Sequence, residues 1–245
     1  MKRTILLLVG LSAVVSAPVG AQATAEDLLA RLDRNETSAS GHSVGTITVQ
    51  DRFGAKVSSF ESWNQGADRS LVVFTAGEEK GQKILRLKDT IYLAYPEADK
   101  PVKLQGAALK DSVAGSDFSY EDMAGDRSLA SRYAAKIVGR ETLGGEDCTI
   151  LELRAKKPGL AYPLLKVWVT TAGDGRKLEK YSQNERLLKT QEVQAVTKTA
   201  GRTVATKLVL SDALKGKSQT LFELSKIELD IVVPAAKFSL EELTF

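Results

Sequence analysis

From Gly41 to Ile231 the chain runs in short stretches rich in Val, Ile, Thr and Leu, separated at regular intervals by turn residues. That rhythm permits little other than antiparallel β-structure. Phe53-Gly54, Gln65-Gly66, Lys88-Asp89, Gly144-Gly145, Asp174-Gly175 and Ala200-Gly201 read as hairpin connections. They separate expected strands near 43–52, 55–65, 68–76, 81–88, 90–95, 134–142, 147–155, 164–171, 176–183, 187–198, 202–212 and 217–231. Ile47 and Val49 alternate with Thr46, Thr48 and Gln50, and Leu165, Val167 and Val169 alternate with Lys166 and Thr170. One face is therefore buried and the other wet, and the lysines and carboxylates interspersed along the strands read as a solvated face.

Helix is scarce. Thr24 caps an expected helix over 25–36, with Asp27 at its third position and Leu28, Leu29 and Leu32 on one face. Between Leu109 and Arg132 the β rhythm breaks, and Ser116-Asp117 and Ser119-x-x-Asp122 look like helix starts, the second a variant capping box. Phe238 to Leu243 reads as a last partial turn. So little helix cannot cover a long sheet laid flat. The sheet either curls around a concave interior with the helices over its mouth, or stacks as two sheets.

The first residues have the layout of a secretory signal peptide: Lys2 and Arg3, an apolar run from Ile5 to Ala17, then small residues ending in Ala21-Gln22-Ala23. A membrane span needs about 20 apolar residues, and here Pro18 closes a shorter run. Cleavage is expected after Ala23, leaving 24–245 as one domain, since no Pro/Gly/Ser-rich linker divides it. No cysteine follows the cut to carry a lipid, so the mature chain is expected to be soluble. Loss of Lys2 and Arg3 takes the net charge from +3 to +1, which removes the electrostatic basis for nucleic acid binding.

The chemistry available is narrow. His42 is the only histidine, so a histidine-based triad or a multi-histidine metal site is excluded; it reads as an ordinary surface or strand-end residue. Cys148 is the only cysteine, which precludes an internal disulfide, and its apolar run Cys148-Thr149-Ile150-Leu151 reads as holding a buried, inert thiol. Phosphate-loop, dinucleotide and C-x-x-C motifs are missing. No enzyme activity, cofactor or metal is expected. Trp63 and Trp168 fall within strands, where packing is the ordinary role. Asn35-Glu36-Thr37 matches a glycosylation acceptor inside the expected helix.

Four segments appear in order: Gly66-Ala67-Asp68-Arg69-Ser70-Leu71-Val72-Val73-Phe74, Lys80-Gly81-Gln82-Lys83-Ile84-Leu85, Ile91-Tyr92-Leu93-Ala94-Tyr95-Pro96 and Gly115-Ser116-Asp117-Phe118-Ser119-Tyr120-Glu121-Asp122. Together they resemble the outer membrane lipoprotein-sorting protein family, periplasmic proteins related to the lipoprotein carrier LolA. The last segment is the most specific, and weaker similarity continues through Cys148 to Arg154 and Tyr162 to Val169.

The resemblance implies an incomplete antiparallel β-barrel, LolA/LolB-like, with an N-terminal helix and short central helices over its opening. It also implies a periplasmic location and an apolar cavity for lipoprotein or lipid acyl chains. Leu28, Leu32, Phe74, Leu85, Tyr92, Phe118, Tyr120 and Trp168 are then the candidates for cavity wall or lid. Within the motif, Gly115 frees the backbone, Ser116 or Asp117 caps, and Phe118 and Tyr120 pin the loop to the rim. Alternatively the aromatics line the cavity entrance while Asp117, Glu121 and Asp122 face a partner or a headgroup. Two functions follow. One is a monomeric carrier working between an inner-membrane transporter and an outer-membrane acceptor. The other is a non-enzymatic interaction module with a filled barrel, docking on an inner-membrane exporter without cargo.

Overall fold

The computed structural model describes residues 23–124, 128–216 and 218–245. The expected signal peptide, up to the residue before Ala23, lies outside them. No helix among the described residues is long and apolar enough to cross a membrane.

The N-terminal helix α1 (Ala25–Glu36) starts at a complete capping box: the Thr24 hydroxyl accepts from the Asp27 N–H, and the Asp27 carboxylate accepts from the Thr24 N–H. Then come β1 (Ser40–Asp51), β2 (Gly54–Gln65), β3 (Arg69–Ala76), β4 (Lys83–Leu87), β5 (Thr90–Ala94) and β6 (Val102–Leu104). A 3₁₀ turn (Gly106–Lys110) and the short helices α2 (Tyr120–Ala124) and α3 (Leu129–Arg132) follow. The second run of strands is β7 (Tyr133–Leu143), β8 (Glu146–Ala155), β9 (Leu164–Thr170), β10 (Gly175–Tyr181), β11 (Leu187–Thr199), β12 (Arg202–Asp212) and β13 (Gln219–Leu229). Two 3₁₀ turns, Ala235–Phe238 and Glu241–Leu243, end the chain. Strand β6 is absent from the sequence reading because three residues carry no periodicity.

All 13 strands form one antiparallel sheet in the order β6-β5-β4-β3-β2-β1-β13-β12-β11-β10-β9-β8-β7. The sheet is not closed. Its two edges, β6 and β7, are consecutive in the chain, and the segment between them carries the helices that cross the opening. The two meanders join where β1 pairs with β13, with a register shift between Val44 and Gly45. Glycine is required there: a Cβ on Gly45 would lie 2.4 Å from the Glu223 carbonyl oxygen and 2.9 Å from the Phe60 ring.

Three apolar clusters follow from strand alternation. On the inner face of the first meander, Ile47, Val49, Phe60, Val72, Phe74, Ile84, Ile91 and Leu93 pack under Val113 and Tyr120 of the central segment. On the inner face of the second, Tyr133, Leu151, Leu153, Leu165, Val167 and Val169 pack against Leu28, Leu29 and Leu32 of α1. The third is on the outer face, where Leu71, Leu85 and Ala94 lie beneath Val233, Phe238 and Leu243 of the C-terminal tail. Strand β4 is thus buried on both sides.

His42, expected as an ordinary surface or strand-end residue, lies near the start of β1 but is not an ordinary surface group. Its side chain is only 11% exposed, stacks on Trp63 with centroids 5.3 Å apart, and lies 2.6 Å from Glu61 and 2.8 Å from Glu228. Strand pairing causes this, because His42 stands opposite Trp63 on β2 and Glu228 on β13. Cys148 is buried as expected, and burial pushes its thiol up.

Leu32→Ala removes a fully buried side chain beneath α1 and is expected to lower unfolding free energy by about 2–5 kcal/mol. Gly45→Ala, which must separate β1 from β13, is expected to destabilise at least as much. Urea denaturation measures both.

Candidate functional site

Between the two inner clusters the sheet leaves a cavity of about 400 Å³. Its apolar wall is built from inward positions of successive strands: Phe60, Val72, Leu165, Val167, Leu178, Val193, Leu208, Phe222 and Leu224. Leu32 of α1, Phe118 ahead of α2 and Leu129 of α3 line it from the cover. Polar groups reach it too, including Ser43, Ser62 and Ser70 from β1 to β3, and Glu121, Asp122, Tyr162 and Lys180.

The cover is fastened by buried carboxylates. Asp122 completes the capping box of α2, its Oδ2 accepting from the Ser119 N–H at 2.9 Å and hydroxyl at 2.8 Å, while its own N–H donates to Ser119 Oγ. The same carboxylate accepts from Lys180 Nζ on β10 at 2.5 Å, from Lys189 Nζ on β11 at 2.8 Å, and from the Tyr162 hydroxyl at 3.3 Å. Its side chain is 4% exposed. Burial alone would raise the Asp122 carboxyl, but Lys180 and Lys189 together hold it well below the usual carboxylate range. The Tyr162 hydroxyl is pushed up by burial and by the Asp122 charge.

Asp117 makes the second fastening. Its carboxylate accepts from Ser218 at 2.6 Å and Thr220 at 3.0 Å, its N–H donates to Thr220 Oγ1 at 2.8 Å, and Lys215 holds the adjacent Gly115 and Ser116 carbonyls. Asp33 of α1 then caps α3, accepting from the Ser128 hydroxyl and the Leu129 and Ala130 N–H groups. Helix α1 itself is tied to the β9–β10 turn through Arg31 to the Thr171 carbonyl and Asn35 to Asp174.

Of the residues singled out from sequence, Leu32 and Phe118 line the cavity, as do Glu121 and Asp122 of the motif. Leu28 lies in the cluster under α1, and Phe74 and Tyr120 in that of the first meander. Leu85 and Tyr92 point to the outer face, because Ile84 and Leu93 occupy the inward positions of their strands. Trp168 alternates with the inward Val167 and Val169; its indole N–H donates to Glu141, and Lys177 sits 4.5 Å over its ring. In the motif, Ser116 Oγ accepts from the Phe118 N–H, Phe118 meets Phe222 edge-on, and Gly115 takes a left-handed φ of 70°. Asp117 does not cap a helix. Asp117 and Asp122 are buried against strands rather than facing outward.

Sequence reasoning missed Lys180 and Lys189, placing interspersed lysines on a solvated face. They are 8% and 9% exposed and stand opposite each other across β10 and β11. The available signal is that Lys180 lies two residues from the inward Leu178, so strand alternation points it to the interior, where an ammonium requires an acid.

Comparison with known proteins finds the same open antiparallel sheet in other chains. The chain belongs to a family described as "Uncharacterized protein", whose model matches residues 66–244. Its fold is LolA-like. A DUF1329 family protein from Desulfovibrio piger superposes with a TM-score of 0.83 at 24% identity, covering 94% of this chain and 100% of its own. A LolA superfamily protein from Nitrosomonas europaea gives 0.76 at 22% identity, covering 89% and 98%. A putative outer membrane lipoprotein-sorting protein domain from Vibrio parahaemolyticus gives 0.80 at 18% identity, covering 90% and 97%. No curated protein matches the chain.

Asp122→Asn leaves two buried ammonium groups without a counter-charge and is expected to destabilise by about 3–5 kcal/mol at pH 7. Because the folded-state carboxyl lies below its ordinary value of 3.8, this stabilisation is complete above that value. It is lost as pH falls through the lower, folded-state one. Urea titrations of both proteins should therefore differ fully at neutral pH and converge only in strong acid.

Proposed function

We propose that this protein is a periplasmic carrier that holds an acyl chain of a lipid or lipoprotein in its cavity and moves it toward the outer membrane. It is exported by a signal peptide cut after Ala23 and acts as a single domain over 24–245, a monomer without enzymatic activity. An inner-membrane transporter and an outer-membrane acceptor are its expected partners.

One observation carries this reading: an apolar cavity of about 400 Å³ that the wall's own side chains do not fill. A solid barrel would favour an interaction module. A methylene moved from water into such a space gains about 0.8 kcal/mol. A dozen would supply roughly 10 kcal/mol before the freedom lost on binding is subtracted. Retention is then the default, and release requires the cover to swing away at the receiving membrane. The Lol-type fold supports the same reading, since the Vibrio relative is itself described as a putative lipoprotein-sorting domain.

Protein purified from its native compartment is expected to yield acyl-chain lipid on solvent extraction and mass spectrometry. Leu208→Trp, which fills the cavity from β12, is expected to abolish that yield while leaving the circular dichroism spectrum intact. Lipid-free native protein that also takes up no added lipid would count against a carrier and toward a docking module.

A further inference from the structure

Strands β11 and β12 run on past the strands beside them. Strand β10 pairs with β11 only as far as Glu192, and the ladder between β12 and β13 covers only Lys207 to Leu210, opposite Glu223 to Thr220. Beyond it, 193–199 and 202–206 stay paired with each other as a hairpin arm, while β13 continues to Leu229 paired with β1 alone. Bulges mark the branch point: Gln194 in β11, Thr206 in β12 and Ser225 in β13 are each passed over in those registers, and a bulge bends its strand. Residues 202–206 and 224–229 thus form two lips of a gap, each a strand edge without a ladder on that side.

The gap lies between the cavity and solvent. Thr203, Val204 and Ala205 line the cavity from one lip, and Leu224, Ile227 and Leu229 from the other. A second hollow, lined by Thr197, Lys198, Thr206 and Ser225, shares Leu224 and Ile227 with the cavity, and Thr197, Lys198 and Ser225 are exposed. No residue of the arm is fully buried. Among the described residues its hydrogen-bonded fastening to the body is Arg202, which donates to the Thr37 carbonyl at the end of α1 and pairs with Asp230 on the far lip, both at 3.2 Å. Arg202 and Asp230 are 27% and 39% exposed, so this pair resists opening weakly, in contrast to the buried cluster at Asp122.

Charge is already balanced around the gap. Lys207 pairs with Glu223 and Lys226 with Glu228, each at 2.9 Å, and Lys198 is exposed to water. What the lips lack is a partner for their backbone N–H and C=O groups, and such an edge accepts another strand. An extended peptide offers both groups at the strand repeat, which a lipid head does not. Of the two lips, β13 is the fixed one, held along its other side by β1.

We infer that an acylated peptide, the lipid-bearing end of a lipoprotein, enters at this gap: its acyl chain lies in the cavity, and the extended peptide beside it pairs with the 224–229 edge of β13, once Arg202 lets the arm and the end of α1 move aside. This rests on the carrier reading and names its route and its second contact. The test loads delipidated mature protein with a hexapeptide palmitoylated at its N-terminus, or with palmitate alone. The lipopeptide is expected to slow amide hydrogen exchange over 224–229, and palmitate is not. Methylating alternate backbone nitrogens of the hexapeptide, which removes strand donors, is expected to weaken its binding about ten-fold. Arg202→Cys combined with Asp230→Cys and joined by a reducible bismaleimide is expected to take up lipopeptide only after reductant is added, whereas the same variant before cross-linking loads at least as fast as the unaltered protein. Equal affinity of the methylated lipopeptide, or no slowing over 224–229, overturns the strand pairing. Loading unhindered by the cross-link, or lost before it is made, overturns the route, and each of these results leaves a carrier standing. Binding of neither palmitate nor lipopeptide overturns the carrier as well.

Discussion

A carboxylate with its side chain 4% exposed, shared by two lysines from adjacent strands, holds the cover of this molecule to its wall. Taking three charges out of water is unfavourable unless geometry and hydrogen bonds compensate. Here Ser119 and Tyr162 complete the coordination of Asp122. The arrangement therefore specifies one seating of α2, because a displaced α2 would leave Lys180 and Lys189 buried without a partner. Lifting α2 off the sheet means breaking this cluster.

The cavity itself follows from how the sheet is covered. One long sheet presents two inner apolar surfaces, and they are served by different covers. Helix α1 seats on the second meander through Leu28, Leu29 and Leu32, while Val113 and Tyr120 of the central segment seat on the first. Between them, the inward Val193, Leu208, Phe222 and Leu224 of β11 to β13, with Phe60, Val72, Leu165, Val167 and Leu178, form the apolar wall of the site. The outer face of β3 to β5 does not compete for a ligand, since the C-terminal tail already occupies it.

Much of this was legible in the chain. Strand runs and turn pairs placed twelve of the strands, and Thr24 with Asp27 placed α1 at its observed bounds. The Ser119-x-x-Asp122 signature located α2 because a capping box is a contact across three residues, within reach of local reading. The resemblance carried by Gly115 to Asp122 led to the correct fold. Of the eight candidates for cavity wall or lid, Leu32 and Phe118 line the cavity and Leu28 and Tyr120 sit in the segments that cover the sheet, while the others pack elsewhere, since large apolar side chains look alike whether they pack a core, an outer face or a pocket.

Local pattern thus determined the strands, the caps and the need for a covered, curved sheet, because each depends on residues a few positions apart. Tertiary structure alone decided which face of β4 and β5 turned inward, where His42 found its two glutamates, and which acid would neutralise Lys180 and Lys189. Those outcomes depend on segments separated by tens to hundreds of residues, such as Asp122 with Lys189 or His42 with Glu228. Nothing in the local sequence records which distant strand will lie alongside.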